Sequence, residues 1–253
     1  MSGGPSGPGL RNVLRSLRHL LSAGLLITDF WGNCLKTYAH LTEGLQAVLL
    51  HWQRGYVQTT HDPVIVPTEK AAAIASKWVD AYGINLPAWK RHQRKQGALP
   101  NAVAIDLPVL RDPYKRQLVL MSTKPPGALH QDCPFLRERW TDKIRVQDFV
   151  LGENTHDRKT VTTFKLAPDV IKPLVKYWTD LSRRGEWSKS CADMDKAVAL
   201  YPAFSGIRQQ LRREIGGLKK LHAKARPGIE WPGPDPENLP IISGFRANEG
   251  AKN

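Results

Sequence analysis

Cysteine is scarce in this sequence, and the few cysteines that occur are not grouped. Cys34, Cys133 and Cys191 stand far apart, and no C-x-x-C pair is present. This spacing disfavours a zinc ribbon or zinc finger, and the odd number argues against a secreted disulfide scaffold. The cysteine pattern therefore indicates a reducing compartment. We predict a cytoplasmic protein, and association with the nucleoid is an alternative within that compartment.

The common motifs of enzymes are missing as well. The chain has no Walker loop and none of the G-x-G-x-x-G, G-x-S-x-G and H-E-x-x-H motifs. Their absence disfavours a nucleotide-hydrolysing motor and a Rossmann enzyme, and we predict no cofactor, no bound metal and no catalytic residue. No apolar run reaches the length that is needed to cross a bilayer, so we predict no membrane span.

Acidic residues are few relative to basic ones. The chain has 37 Lys and Arg against 23 Asp and Glu, which gives a formal net charge of +14. A field of this sign attracts polyanions and accelerates their association with the protein. Nucleic acid, either DNA or RNA, is the commonest polyanionic partner, and an anionic membrane surface is the next candidate. A hydrophobic fraction of 41% and eight tryptophans are typical of a packed globular protein.

The first basic cluster follows a flexible leader over residues 1–9. Residues 10–28 place leucines on one face of a helix and Arg11, Arg15 and Arg18 on the other, without any acid. An arginine-containing amphipathic helix without acids is also typical of a mitochondrial transit peptide, which would place the protein in the mitochondrial matrix. Because prolines interrupt the leader, we favour an ordinary basic surface helix.

The most informative pattern is a helical hairpin. The first helix is predicted to begin at Thr68 and to end at Gly83, and the second to begin near Pro87 and to end at Gly97. A short glycine turn before a basic helix is typical of a helix-turn-helix that reads the DNA major groove. Trp89 occupies the position that should pin the second helix on the first. That second helix has no acid and four cations, which are Lys90, Arg91, Arg94 and Lys95.

The whole chain is predicted to be α+β. The five predicted parts are a flexible leader (1–9), a helical basic region (10–99), an antiparallel sheet region (100–167), a helical basic C-terminal region (168–226) and a proline-rich extended tail (227–253). The helical basic region includes a long helix over residues 29–55, whose apolar residues form one stripe. We expect a small sheet of about four strands, made of two strand pairs, 103–110 with 117–123 and 144–151 with 160–166.

The C-terminal region is predicted to contain three helices. The first runs from Pro168 to about Arg184 and the second from Trp187 to Leu200, and the last carries the third basic cluster. This helix is predicted from Phe204 to Ala225, and Glu214 is its only acid. Because pairs of opposite charge cannot neutralise the helix, its like charges repel, and this favours a polyanionic partner. We therefore predict phosphate contacts from both of its flanks, at Arg208, Arg212, Arg213, Lys219, Lys220 and Lys224.

An alternative site uses acids in or near the sheet. Acids on strands can hold Mg²⁺ for phosphodiester cleavage, although loop acids and turn caps account for the same residues. The candidate set is His130, Asp132, Asp142, Asp148 and Glu153. Cys133 lies near His130, but its surroundings in the sequence do not indicate a lowered thiol pKa.

Three functions therefore stay open. The first is a non-enzymatic DNA-binding accessory or regulatory factor that uses the hairpin over residues 68–97. The second is an RNA-binding subunit of a larger ribonucleoprotein, an RNA-guided effector or a ribosome-like particle, in which other protein subunits are partners. The third is a metal-dependent nuclease. All three depend on the basic residues forming a continuous positive surface in the folded chain.

Overall fold

A computed structural model of the chain describes residues 35–60, 64–84, 86–97, 101–123, 140–141, 143–156 and 159–241. Arg11, Arg15 and Arg18, with the leader and the helix predicted over residues 10–28, lie outside the described residues. Within the described ranges, six α-helices and two β-sheets form a mixed α+β fold. The predicted fold class is therefore confirmed at this level.

The helices and strands are numbered here in chain order. The helices are α1 (Leu41–Gln53), α2 (Thr68–Tyr82), α3 (Ala88–Gln96), α4 (Pro168–Arg183), α5 (Trp187–Leu200) and α6 (Ser205–Ala225). The strands are β1 (Leu35–Thr37), β2 (Gln58–Thr60), β3 (Val64–Pro67), β4 (Ala102–Val109), β5 (Asp112–Ser122), β6 (Trp140–Thr141), β7 (Arg145–Val146), β8 (Phe149–His156) and β9 (Lys159–Leu166).

The strands form two sheets, whereas the sequence predicted one. The larger sheet has six strands in the order β1-β4-β5-β2-β6, with β3 also paired to β5. Its pairings are antiparallel except for β1, which runs parallel to β4. The smaller sheet is the antiparallel set β7-β8-β9. The two predicted strand pairs exist, but each belongs to a different sheet, and the prediction of one four-stranded sheet is wrong.

The N-terminal part is less helical than predicted. Residues 35–37 form a strand, so a single helix over residues 29–55 is wrong, and α1 begins only at Leu41. The backbone N–H of Tyr38 continues the parallel pairing by donating to the carbonyl of Asp106 at 3.0 Å. Pairing with a distant strand decides the structure here, because a strand of three residues is too short to show a period of two.

The larger sheet is covered by a helix on each face. Inward-pointing residues alternate along β4, as expected for a strand with side chains on opposite faces. Val103, Ile105 and Leu107 belong to the core that includes α1, while Ala102 and Ala104 pack with α2. The core on the α1 side also continues to β8, β9 and the three C-terminal helices, so the smaller sheet and these helices share one apolar interior with α1.

A buried ion pair joins three neighbouring strands of the larger sheet. Arg116 on β5 donates from Nε to Asp106 Oδ1 on β4 at 2.7 Å, and its Nη2 donates to the carbonyl of Tyr38, just after β1, at 2.9 Å. The guanidinium therefore satisfies both a buried carboxylate and a carbonyl at the end of β1. Removal of Arg116 would leave the carboxylate of Asp106 buried without its partner. Arg116 also fixes the short strand β1 against the sheet, because it bonds to the carbonyl of Tyr38 just after that strand.

The C-terminal helices follow their predicted bounds closely, and the last one approaches the smaller sheet at a glycine. A Cβ atom added to Gly206 would lie 2.5 Å from the carbonyl oxygen of Phe164 on β9. The backbone N–H of Gly206 points to Thr163 Oγ1 at 3.3 Å. By contrast, a Cβ atom at Gly217, in the middle of α6, would meet no atom within 4 Å. Close packing therefore requires glycine at the start of α6 and not in its middle.

The proline-rich tail packs on the body through its tryptophan. Trp231 is partly buried against the core, and its ring lies edge-on to His222 of α6 at 5.5 Å between centroids. A short 3-10 turn follows at Pro236–Asn238, and Leu239 is buried. Ile241, the last residue described, is exposed. The tail is therefore docked as far as Leu239.

Replacing Gly206 by alanine should destabilise the protein, while the same change at Gly217 should not. Gly206→Ala places a methyl group against backbone that cannot move away easily, and we expect a loss of about 1–3 kcal/mol in the free energy of unfolding. Gly217→Ala should be neutral or should stabilise by up to about 1 kcal/mol, because alanine favours helix. Urea denaturation measures both, and equal stability of the two variants would contradict this packing.

Candidate nucleic-acid interface

Helix α3 lies on the protein surface and carries no buried residue. It begins after Pro87 and ends at Gly97, as the sequence predicts. Lys90 and Lys95 are exposed, and Arg91 and Arg94 are half-buried. No acid occurs in the sequence between Asp80 and Asp106, so α3 and the residues directly before and after it carry no carboxylate side chain. The helix is therefore a short surface element on which the Lys and Arg charges are not offset by any acid.

Two hydrogen bonds hold α3 in place. Arg94 Nη1 donates to the carbonyl of Tyr82, the last residue of α2, at 3.4 Å. Asn101 Nδ2, just before β4, donates to the carbonyl of Arg91 at 3.1 Å. Gly83 between the two helices adopts a left-handed conformation with φ of 59°, which favours glycine. The predicted glycine stop of α2 is confirmed, and the turn places Arg94 beside the C-terminal end of that helix.

The helix-turn-helix packing that the sequence indicates is not confirmed. Trp89, expected to pin the second helix on the first, is 63% exposed. The ammonium of Lys90 lies 5.3 Å from the centroid of its ring. An exposed aromatic ring beside a cation is suited to binding a nucleotide, because a base can stack on the ring while the cation contacts the phosphate. Trp89 is therefore part of the candidate interface.

The structure adds two cations that the sequence did not connect with α3. Lys36 on β1 and Arg54 at the end of α1 lie close enough to His51 for their charges to act on its ring, and so does Arg91. Burial first, and then these three cations, lower the pKa of His51 to about 4. The place of Lys36 near His51 could not be predicted from the sequence, because β1 reaches this position by pairing with β4, about 70 residues later.

The C-terminal basic helix presents fewer free cations than its sequence indicates. Arg208, predicted to contact phosphate, is only 4% exposed, and it donates to the carbonyls of Val198 and Tyr201 at the end of α5. Burial also lowers its pKa from the ordinary value. Arg208 therefore lies inside the protein rather than on the expected outer flank, because the end of α5 needs donors for its carbonyls.

The docked tail and Glu214 engage three more of the predicted residues. Arg212 donates from Nε to the carbonyl of Pro236 at 2.9 Å, and Lys219 lies 3.4 Å from Asp235 Oδ1. Arg213 pairs with Glu214 at 2.6 Å. Lys220 and Lys224 are exposed and have no ion-pair partner among the described residues. Of the six predicted positions on α6, these two lysines are therefore the ones left exposed without such a contact among the described residues.

The acids of the nuclease hypothesis are only partly described. Asp148 lies before β8 and pairs with Arg111 at 3.8 Å, beside a cleft of about 1020 Å³. Glu153 is exposed on β8. The other candidates, His130, Asp132 and Asp142, lie outside the described residues, as does Cys133. Within the part of the chain that the structure describes, no group of three or more His, Cys, Asp and Glu is placed to hold a metal ion.

Comparison with known proteins found no matching family, no similar curated protein and no similar solved structure.

Among the described residues, no helix has both the length and the apolar character that a membrane span requires. Cys191, the one cysteine described, is buried, and burial raises the pKa of its thiol to about 11. The cationic surface around α3, which includes Lys90, Arg91, Lys95 and Trp89, is therefore the candidate site that the structure describes most fully.

His51 should make folding sensitive to mild acid. The unfolded chain protonates this ring near its ordinary pKa of 6.5, whereas the folded chain does so only near 4, so stability present at neutral pH is lost as the pH falls through this interval. At pH 5 the loss is about 2 kcal/mol relative to neutral pH. His51→Phe should remove most of this loss, as measured by urea denaturation at both pH values.

The matched control is His40→Gln, which changes an exposed histidine just before the start of the same helix. This variant should keep the pH dependence of the original protein. If His51→Phe loses as much stability in acid as the original protein does, the ring does not titrate as its surroundings imply.

Proposed function

We propose that this protein binds nucleic acid as a non-enzymatic DNA-binding accessory or regulatory factor. In this proposal α3 contacts the phosphate backbone through Lys90, Arg91 and Lys95, and the exposed Lys220 and Lys224 of α6 extend the contact elsewhere on the protein. One observation carries the proposal: α3 has four basic residues, no acid and no buried side chain. Such a helix contributes nothing to the core, and its charge suits a polyanion.

The proposal of DNA binding is based on the geometry of the hairpin that α2 and α3 form. Gly83 turns the chain between α2 and α3, and α2 is fixed on the larger sheet through Ala71, Ala75 and Trp78. The rigid α2 would then hold α3 outward for docking in the major groove. Arg94 is committed to the carbonyl of Tyr82 and serves to position α3 rather than to contact phosphate.

A second candidate function is RNA binding within a larger ribonucleoprotein. The exposed Trp89 favours it, because unpaired bases are recognised by stacking on aromatic rings, whereas bases within a duplex are not available for stacking. The same cations would then follow a single-stranded backbone. The two forms of the proposal differ in whether Trp89 contributes to binding.

Removal of charge from α3 should weaken binding and its dependence on salt. In the triple variant Lys90→Gln, Arg91→Gln and Lys95→Gln, we expect the affinity for a labelled oligonucleotide to fall by about tenfold or more. A plot of log affinity against log salt should lose about two to three from its slope, because each phosphate contact releases close to one counterion. Fluorescence anisotropy over a salt series measures both quantities.

A control variant separates local contact from net charge. Lys172→Gln, Lys176→Gln and Lys196→Gln remove three exposed lysines from α4 and α5 and change the net charge by the same amount. This variant should bind nearly as the original protein does. If both triple variants lose equal affinity, or if the original protein binds no oligonucleotide at low salt, α3 is not a nucleic-acid interface.

Trp89 should distinguish the two forms of the proposal. If bases stack on it, Trp89→Leu should lower the affinity for single strands by about 1–3 kcal/mol and leave duplex binding nearly unchanged. The DNA form predicts the opposite preference, with duplex bound more tightly and little effect of the substitution on either ligand. Because Trp89 is exposed, circular dichroism should show an unchanged fold in the variant.

A further inference from the structure

The docked tail is acidic, and it crosses the most basic helix of the described chain. Residues 227–241 contain Glu230, Asp235 and Glu237 and no Lys or Arg, whereas α6 has six Lys and Arg against one Glu. The tail reaches α6 through the short turn at residues 235–238, which we call the tail turn. The tail turn and α6 therefore have complementary charges.

The tail turn bonds directly to two cations of α6. Arg212 donates from Nε to the carbonyl of Pro236 at 2.9 Å and from Nη2 to the carbonyl of Glu237 at 3.1 Å. Two helical turns later, the ammonium of Lys219 lies 3.4 Å from Asp235 Oδ1. Both cations were predicted to contact phosphate, and in the folded chain oxygens of the tail turn take that place.

The tail turn also packs closely on the helix between these two cations. A Cβ atom added to Gly216 would lie 4.0 Å from Pro236 Cβ. Arg212, Gly216 and Lys219 share one face of α6, because residues three and four apart are neighbours on a helix. Lys220, beside this face, is exposed. The tail turn therefore covers one stripe of the basic surface and leaves the next one open.

Apolar anchors hold the tail on either side of the tail turn, whereas its polar contacts with α6 are accessible to solvent. Trp231 is partly buried against the core before the turn, and Leu239 is 7% exposed after it. Between them, the side chains of Lys219 and Asp235 are 45% and 44% exposed. Exposed ion pairs of this kind contribute little to stability. The tail turn can therefore lift from α6 while its anchors stay in place.

A polyanion would make stronger contacts with the same cations. The two carbonyl oxygens that Arg212 contacts are neutral, whereas a phosphate oxygen is charged and can accept two parallel bonds from one guanidinium. Several phosphates along one strand would also replace the single carboxylate of Asp235 at Lys219. The exchange of the tail turn for a polyanion is therefore favourable at low salt, where such contacts are strongest.

We propose that the tail turn competes with a polyanion for one face of α6. With the tail turn in place, α6 presents Lys220 and Lys224. When the tail turn opens, Arg212 and Lys219 join them in one cationic surface. The competition requires only a polyanion, and the assignment of that polyanion as nucleic acid rests on the proposed function.

A disulfide that locks the tail turn on α6 tests the competition within one protein. Gly216→Cys and Pro236→Cys place thiols on Cβ positions 4.0 Å apart, within the range of about 3.5–4.5 Å that disulfides span. Cys34→Ser and Cys133→Ser leave the buried Cys191 as the only other thiol. Oxidised glutathione forms the bond and dithiothreitol opens it. If these thiols form no disulfide, the tail turn does not pack on α6 and the proposal is wrong.

The reduced form should bind a labelled oligonucleotide more tightly than the locked form. We expect a difference of about three- to tenfold in affinity at low salt. The slope of log affinity against log salt should be lower by about two in the locked form, because Arg212 and Lys219 cannot then contact phosphate. Fluorescence anisotropy with single-stranded and duplex oligonucleotides measures both quantities, and equal affinities and slopes in the two states would overturn the proposal.

Two single substitutions separate competition from net charge. Asp235→Asn removes the partner of Lys219 and should raise the affinity about two- to fivefold. Glu230→Gln removes the same charge from an exposed position of the tail that has no contact with α6 among the described residues, and it should change the affinity little. If the two variants gain equally, the carboxylate of Asp235 acts only through net charge and does not compete.

Heparin, used as a second polyanion, separates this proposal from the proposed function. Tighter binding of both polyanions by the reduced form supports both. Oligonucleotide binding that is equal in the two states overturns the competition and leaves the proposed function in place. If only heparin binds, and the reduced form binds it more tightly, the competition holds and nucleic acid is the wrong ligand. If the reduced form binds neither polyanion more tightly, the tail turn is not a competitor.

Discussion

Hydrogen bonds from arginine side chains to backbone carbonyls near helix ends link several helices of this protein to later segments of the chain. Arg94 on α3 donates to the carbonyl that ends α2, Arg208 on α6 donates to carbonyls at the end of α5, and Arg226 after α6 donates to Gly185 after α4. The last carbonyls of a helix lack partners within it and carry the negative end of the helix dipole. An arginine side chain supplies both the hydrogen-bond donors that these carbonyls lack and a positive charge at the negative end of the dipole. Each of these bonds also links a helix to another segment of the chain.

Arginines that bond to backbone carbonyls are less available to a polyanion, so the surplus of positive charge in the sequence is only partly available for binding. A planar guanidinium can serve two carbonyls at once, as Arg208 and Arg212 do, whereas the lysine ammonium is strongly hydrated and stays in solvent. The cations that remain accessible are accordingly mostly lysines, such as Lys90, Lys95 and Lys220. The net charge of the sequence therefore overstates the surface that is open to a polyanion, and the position of each residue matters more than the total.

The sequence predicts those features whose causes are local. Glycine and proline signals place the bounds of α2 through α6 within about two residues, because caps and stops act over a few residues. The strand β1 and the division into two sheets were missed, since they depend on pairing with distant residues, such as Leu35 with Ala104. The residues of the candidate site differ in the same way. The acid-free run of α3 is visible in the sequence, but the position of Lys36 near His51 depends on the pairing of β1 with β4.

Under the proposed function, the stability of α3 is coupled to the binding of its ligand. A nine-residue helix is marginal alone, and repulsion among its cations opposes it further. None of its side chains is buried, so the bonds from Arg94 and Asn101 supply most of its attachment to the body. A polyanion that contacts only the helical form removes the repulsion and shifts the local equilibrium toward that form. If α3 binds a polyanion as proposed, ordering of the helix and binding of phosphate are two parts of one equilibrium, and this coupling would account for a helix that has no buried residue.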